Sequence, residues 1–137
     1  MNYFSYLCTP KERKVMIRNL LFVALGGAVG SVLRYLLSGI NTSFPWGTFV
    51  VNILGSLLIG LLVGLVSKGV LSPEMKLLMV TGFCGGFTTF STFANESFGM
   101  MKVGDVLLMA LYVGVSVVIG ILAVWGGMAL SNISIKG

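Results

Sequence analysis

Histidine is absent from this 137-residue chain, and only four residues are acidic. Without imidazole there is neither a histidine base nor a histidine metal ligand. The two cysteines, Cys8 and Cys84, fall in a terminal tail and inside an apolar run, so they indicate neither a disulfide framework nor a cysteine metal site. No Gly-x-x-x-x-Gly-Lys phosphate loop and no Gly-x-Ser-x-Gly elbow is present. Charged residues make up 9% of the chain, against about 25% in a soluble domain. Hydrolytic and redox chemistry therefore has few residues to work with.

What the chain has instead is apolar length. Hydrophobic residues make up 56%, and uncharged runs extend over Asn19 to Leu33, Tyr35 to Ser67, Leu77 to Asn95 and Val106 to Ile135. A hydrocarbon core of about 30 Å requires about 20 helical residues. Four spans fit, over 19–39, 47–66, 76–99 and 105–130. No small-x-small cleavage site follows a short apolar region, so the first span reads as a retained helix rather than a signal peptide. The expected fold class is an all-α membrane protein of one small domain, with short connections that force an up-down-up-down bundle. The net charge of +5 comes largely from Lys11, Arg13, Lys14 and Arg18. At a membrane boundary such a cluster marks the cytoplasmic side, and with no binding module beside it nucleic acid is not expected as a partner.

Local signals refine this outline. Thr9, Pro10 and Glu12 form a capping box that starts a helix outside the membrane and runs it into the first span. The alternative is a tail that stays out of the fold up to Met16. Ser72, Pro73 and Glu74 open the third span in the same manner. Gly26 and Gly30, and Gly60 and Gly64, are each four apart, a spacing that lets helix backbones approach closely in lipid. Arg34 lies near the end of the first span, where snorkelling to the interface and lining an aqueous vestibule are both open.

Polar residues inside the spans carry the functional signal, because lipid exposure is costly for them. Thr48, Asn52 and Ser56 share a face of the second span, and Tyr112 and Ser116 a face of the fourth. Ser56 and Ser116 read as bonds between helices, whereas Asn52 carries a full amide that needs several partners. The third span contains TGFCGGFTTFSTFANES, residues 81–97, with Gly82, Gly85 and Gly86 followed by Thr88, Thr89, Ser91 and Thr92. These glycines and threonines weaken the helix and predict a break near 85–89. A break at mid-membrane frees carbonyls and amides that protein or an ion must satisfy. Freed carbonyls suit a hard cation such as Na⁺, and half-helix N-termini attract anions. The edge of a phenyl ring is electropositive, so Phe90 and Phe93 can attract a small anion without a fixed cation that would trap it. The residues by themselves lead to an ion site at a broken helix.

The segments GGAVGSVLRY (26–35), FPWGTFVVNILGS (44–56) and GFCGGFTTFSTFANE (82–96) resemble, in order, three signature segments of the CrcB/Fluc family of fluoride channels. The resemblance covers about Ile17 to Ala129. It implies passive efflux of fluoride across the plasma membrane by an antiparallel, dual-topology dimer with a double-barrelled pore. Its pore residues fall on Asn52, Phe90, Phe93, Ser91, Thr92 and Tyr112, with Glu96 and Arg34 at further functional positions. It also implies a structural Na⁺ at the dimer centre, held by the backbone carbonyls of Gly85 and Thr88. On this reading residues 1–16 are an N-terminal extension, 17–131 the channel domain and 132–137 a C-terminal tail. The expected partners are fluoride, membrane lipid and a second subunit. The chain is expected not to be an enzyme.

The charge pattern bears on which second subunit. An even number of spans puts Lys11, Arg13, Lys14, Arg18, Lys68, Lys76 and Lys136 on one side, with Lys102 and Arg34 toward the other. That bias predicts termini in the cytoplasm. It sets a heterodimer with an oppositely charged homologue against the homodimer that the resemblance favours, and the homodimer is the expected assembly. A small four-helix multidrug or cation transporter subunit is the rival function. It calls for an acid within the first span, where none of the four acids lies.

Overall fold

The computed structural model describes residues 9–133 and is all-helical over them, apart from its turns. The calls on residues 1–8 and 134–137 lie outside the described residues. Helix α1 runs over Pro10–Ser38 and α2 over Trp46–Ser67. The third span, Pro73–Lys102, is divided. It comprises α3 (Pro73–Lys76), a π-helical stretch (Leu77–Cys84), α4 (Gly85–Phe87) and, after a break at Thr88 and Thr89, α5 (Phe90–Lys102). Helix α6 covers Val106–Ile133. Four spans are thus long and apolar enough to cross a membrane.

The helix starts follow from their caps. Thr9 accepts the Glu12 N–H through its side chain at 3.3 Å, and Pro10 occupies the first turn. Helix α1 therefore begins at Pro10, ahead of the expected span, and passes Met16 without interruption. Ser72 accepts from the Met75 N–H at 3.2 Å in the same way. The connections after α2 and α5 turn through Gly69 (φ 69°) and Gly104 (φ 89°), a left-handed conformation that only glycine adopts freely.

Two helix pairs make up the bundle. Helix α1 lies along the first half of the third span, and α2 packs along α6. The small-residue pattern works as expected at both seams. A Cβ at Gly30 would collide with the Phe83 carbonyl oxygen, and one at Gly60 with that of Val124 on α6. Little of the chain is buried in itself: the buried apolar side chains are Val51, Leu62, Cys84, Phe87 and Tyr112. Most of the apolar surface faces outward, as a chain dissolved in lipid allows.

Candidate ion site at the broken third span

The break rests on a redirection of backbone hydrogen bonds. In an unbroken helix the Thr89 N–H would bond the Gly85 carbonyl, and the Thr92 N–H that of Thr88. Here Thr89 N–H donates to Asn52 Oδ1 at 2.8 Å, and Thr92 N–H donates to Thr89 Oγ1 at 3.3 Å. Asn52 Nδ2 returns a bond to the Thr89 carbonyl at 3.0 Å. The amide of Asn52 thus serves as a detached piece of backbone for the residue at the break. Thr88 and Thr89 take extended conformations, with ψ of 159° and 120°. The carbonyls of Gly85 and Thr88 lose their ladder donors, and with free lone pairs they suit a hard cation better than any side-chain cluster. Among the described residues no group of three His, Cys, Asp or Glu could hold a metal.

Arg34 is close to this break. Its Nε donates to the Gly86 carbonyl at 3.0 Å, which places a cation against the C-terminal end of α4. Arg34 caps the first half-helix.

Beyond the break lies an open groove of about 330 Å³, lined by Asn52, Ser56, Thr88, Phe90, Phe93 and Ser116 among others. The Phe90 and Phe93 rings are 6.2 Å apart. Phe93 also lies 5.0 Å from Tyr112, which Phe44 meets edge-on at 5.3 Å. Phe90 is 81% exposed, so its ring has almost no cover from its own chain. The two serines expected to tie helices together do not. Ser56 Oγ donates within its own helix to the Asn52 carbonyl at 2.6 Å, while Ser116 Oγ is buried with no partner.

Midway along α5, Glu96 gathers donors from α2, α6 and the connection before α2. Thr48 Oγ1 donates to Oε1 at 2.6 Å, Asn41 Nδ2 to the same oxygen at 3.3 Å, and Tyr112 hydroxyl to Oε2 at 2.9 Å. Thr48 and Tyr112 are buried. Asn41 was not anticipated from the sequence. Its Oδ1 accepts the Gly47 N–H at 2.6 Å and the Thr48 N–H at 3.4 Å, closing the start of α2 where Pro45 at the cap position offers no side-chain acceptor. A proline at a helix cap, with an asparagine shortly before it, is the signal that could have pointed there.

The sequence-derived site residues therefore fall in three places. Gly85, Thr88, Asn52, Thr92 and Arg34 surround the break. Phe90 and Phe93 border the groove, and Tyr112 and Glu96 share a hydrogen bond outside its lining. Ser91 is exposed and is separate from these clusters.

A family model described as "CrcB-like protein, Camphor Resistance (CrcB)" matches residues 21–128. The chain belongs to the CrcB family. Curated relatives of this CrcB-family chain carry the name "Fluoride-specific ion channel FluC". The one from Flavobacterium psychrophilum is 42% identical over 122 residues, covering 85% of this chain and 98% of the relative. That from Phocaeicola vulgatus is 48% identical, covering 85% of this chain and all of the relative. That from Agrobacterium fabrum is 50% identical, covering 83% and 96%.

Proposed function

We propose that this chain is the subunit of a fluoride-selective channel that lets cytoplasmic fluoride leave the cell passively. It is a multi-pass protein of the plasma membrane and not an enzyme. Relatives that match nearly end to end and are named as fluoride-specific channels carry this reading. The chemistry of the groove agrees with it. Fluoride is small and strongly hydrated, so a pore has to replace water with closely spaced donors and partial positive charge. Phe90 and Phe93 offer ring edges, Thr92 and the exposed Ser91 offer hydroxyl donors, and the Tyr112 ring packs on Phe93 while its hydroxyl donates to Glu96. Ser116, whose buried hydroxyl has no partner, is a further donor in reach of the same groove.

The working unit is a dimer of two oppositely oriented subunits. Its support is the face of the third span that bears Thr81, Gly85, Phe90, Ser91 and Asn95, all exposed in a single chain. Hydroxyls and an amide directed at hydrocarbon would be costly, and a second subunit removes that exposure. A Na⁺ at the dimer centre, held by the Gly85 and Thr88 carbonyls, fits the two acceptors that the break deprives of donors. Bound there, it would supply positive charge that ties the two broken helices together. Asn52 and Arg34 keep those carbonyls in place by fixing Thr89 and Gly86. Glu96 orients the Tyr112 hydroxyl and ties α2, α5 and α6 together.

Purified protein in liposomes loaded with fluoride tests the function. Rapid fluoride efflux with negligible chloride efflux is expected, read by ion-selective electrodes. No fluoride flux from a verified dimer would overturn the assignment.

A further inference from the structure

Helix α1 is longer than the membrane requires, and the excess carries charge. Its 29 residues extend about 43 Å at ~1.5 Å per residue, against a hydrocarbon core of about 30 Å. The family match begins only at residue 21, so the first turns of α1 lie outside it. Lys11, Lys14 and Arg18 fall at i, i+3 and i+7, along one stripe. Arg18 is paired with Glu74 at 3.2 Å, which anchors α1 to the start of the third span. Among the described residues, Lys11, Lys14 and Lys76 have no such acid. The carboxylate of Glu12 is taken up by the Thr9 hydroxyl at 2.7 Å.

Beside this stripe an open slot of about 770 Å³ runs between α1 and the π-helical stretch. Val15, Met16, Asn19, Leu20 and Val23 form one wall and Leu77 the other, with Lys11 and Glu12 at the aqueous end. The walls are largely apolar and exposed: Leu20 is at 59% and Val15 at 43%. The slot is therefore amphipathic along its length. Its apolar part is deeper in the membrane, and its charged mouth is at the end of α1 that projects beyond the hydrocarbon.

We propose that this slot is a binding site for an anionic phospholipid of the leaflet that the N-terminal end of α1 faces. One acyl chain lies against Val15, Leu20, Val23 and Leu77, and the phosphate-bearing headgroup meets Lys11, with Lys14 and Lys76 adding to the local potential. Charge complementarity selects the occupant. A zwitterionic lipid fills the apolar part equally well but gains little from the lysines, whereas a net negative headgroup gains at each one. The inference does not depend on fluoride conduction.

Native mass spectrometry of the full-length dimer tests it, with phosphatidylglycerol and phosphatidylcholine offered at equal concentration after delipidation. Phosphatidylglycerol should be retained preferentially, and each of Lys11→Gln and Lys14→Gln should weaken that retention about five-fold, the effect of ~1 kcal/mol per basic residue near a bilayer. Lys102→Gln, at the opposite membrane boundary, should leave it unchanged. Met16→Trp, which fills the slot without altering charge, should reduce the retention of both lipids. Equal retention of the two lipids by the parent protein would overturn the proposal, as would equal loss in the Lys102→Gln control. Copper-induced cross-linking through Met16→Cys, in a background lacking Cys8 and Cys84, would assign the slot to a second copy instead and would also overturn it.

Discussion

Asn52 on α2 and Thr89 at the break exchange two hydrogen bonds, Thr89 N–H to Oδ1 at 2.8 Å and Nδ2 to the Thr89 carbonyl at 3.0 Å. This pairing makes a discontinuous helix tolerable inside a bilayer, because the Thr89 N–H would otherwise be unsatisfied where water is scarce. It engages the amide oxygen and one amide N–H of Asn52 at the break. In the channel reading Asn52 thus acts on conduction at least through the break.

Asn52→Ala should accordingly cost stability before it costs selectivity. Each backbone group left unpaired is worth about 1–3 kcal/mol, so the thermal midpoint of the detergent-solubilised protein should fall clearly, with fluoride flux falling alongside it. If the variant melts like the parent and loses only flux, the amide acts on the ion and not on the scaffold.

The aromatic pair separates conduction from folding. Phe90 has little cover from its own chain, and Phe93 leans on Tyr112 at 5.0 Å. Phe90→Ile keeps much of the apolar bulk and removes the electropositive ring edge. Fluoride efflux should fall about ten-fold, equivalent to ~1.4 kcal/mol on the barrier, while the dimer still elutes intact from a sizing column. Phe93→Ile should lower both flux and stability, because it also gives up the contact with Tyr112. Unchanged flux in both variants would leave the rings as packing alone.

How much of this was legible beforehand differs by feature, for physical reasons. The four spans follow from uncharged length, and the break from glycines beside threonines, both local properties. The start of α1 at Pro10 followed from its capping residues. The partner of Thr89 was not legible, since it depends on how α2 rotates against the third span. Thr48 and Glu96, 48 residues apart, illustrate the same limit. Thr48 was placed on the polar face of α2, but nothing local names the carboxylate it meets. Asn41 reads as an ordinary turn residue because a helix usually caps itself from the adjacent position, and Pro45 prevents that here. Ser116 was expected to bond a neighbouring helix and has no partner.

The Glu96 cluster makes a quantitative test. A hydrogen bond to a charged group contributes about 1.5–3 kcal/mol, so a double-mutant cycle of Thr48→Val and Glu96→Ala should show a coupling of that order in chemical denaturation. Glu96→Gln alone should be the milder change, since its amide oxygen still accepts from Thr48 and Asn41. Additive effects of Thr48→Val and Glu96→Ala would mean that the short Thr48–Glu96 contact does not stabilise the fold.

Gly30 and Gly85 should respond in opposite ways to the same substitution. A Cβ at Gly30 collides with the backbone of Phe83 and Phe87, whereas one at Gly85 meets nothing within 4 Å in its own chain. Gly30→Leu should therefore disrupt the α1 seam and lower the yield of folded protein. Gly85→Leu should retain the parent's helical circular dichroism yet fail to dimerise, as read by light scattering, because its side chain points where only a partner and the Na⁺ would be. Removing Na⁺ from the parent should weaken the dimer in the same direction, and Thr88→Ser, which preserves the carbonyl, should be mild. Normal dimerisation of Gly85→Leu would remove the dimer centre from this position.

Orientation is the remaining test, and charge decides its sign. Lys11, Arg13, Lys14, Arg18, Lys68, Lys76 and Lys136 share one side of the four-span chain, against Lys102 and Arg34 toward the other. Basic residues near span ends stay in the cytoplasm, so a chain expressed alone should be oriented mostly one way. Cysteines introduced at Ser5 and Gly137, in a background lacking Cys8 and Cys84, should be labelled by a membrane-impermeant reagent only after the cells are opened. A biased population makes few antiparallel pairs, so fluoride resistance of a sensitive host should then rise when a homologue of opposite bias is co-expressed. Labelling of half the copies in intact cells and of all after opening, with full resistance from this chain alone, would establish the antiparallel homodimer and show that the basic stripe on α1 does not set topology.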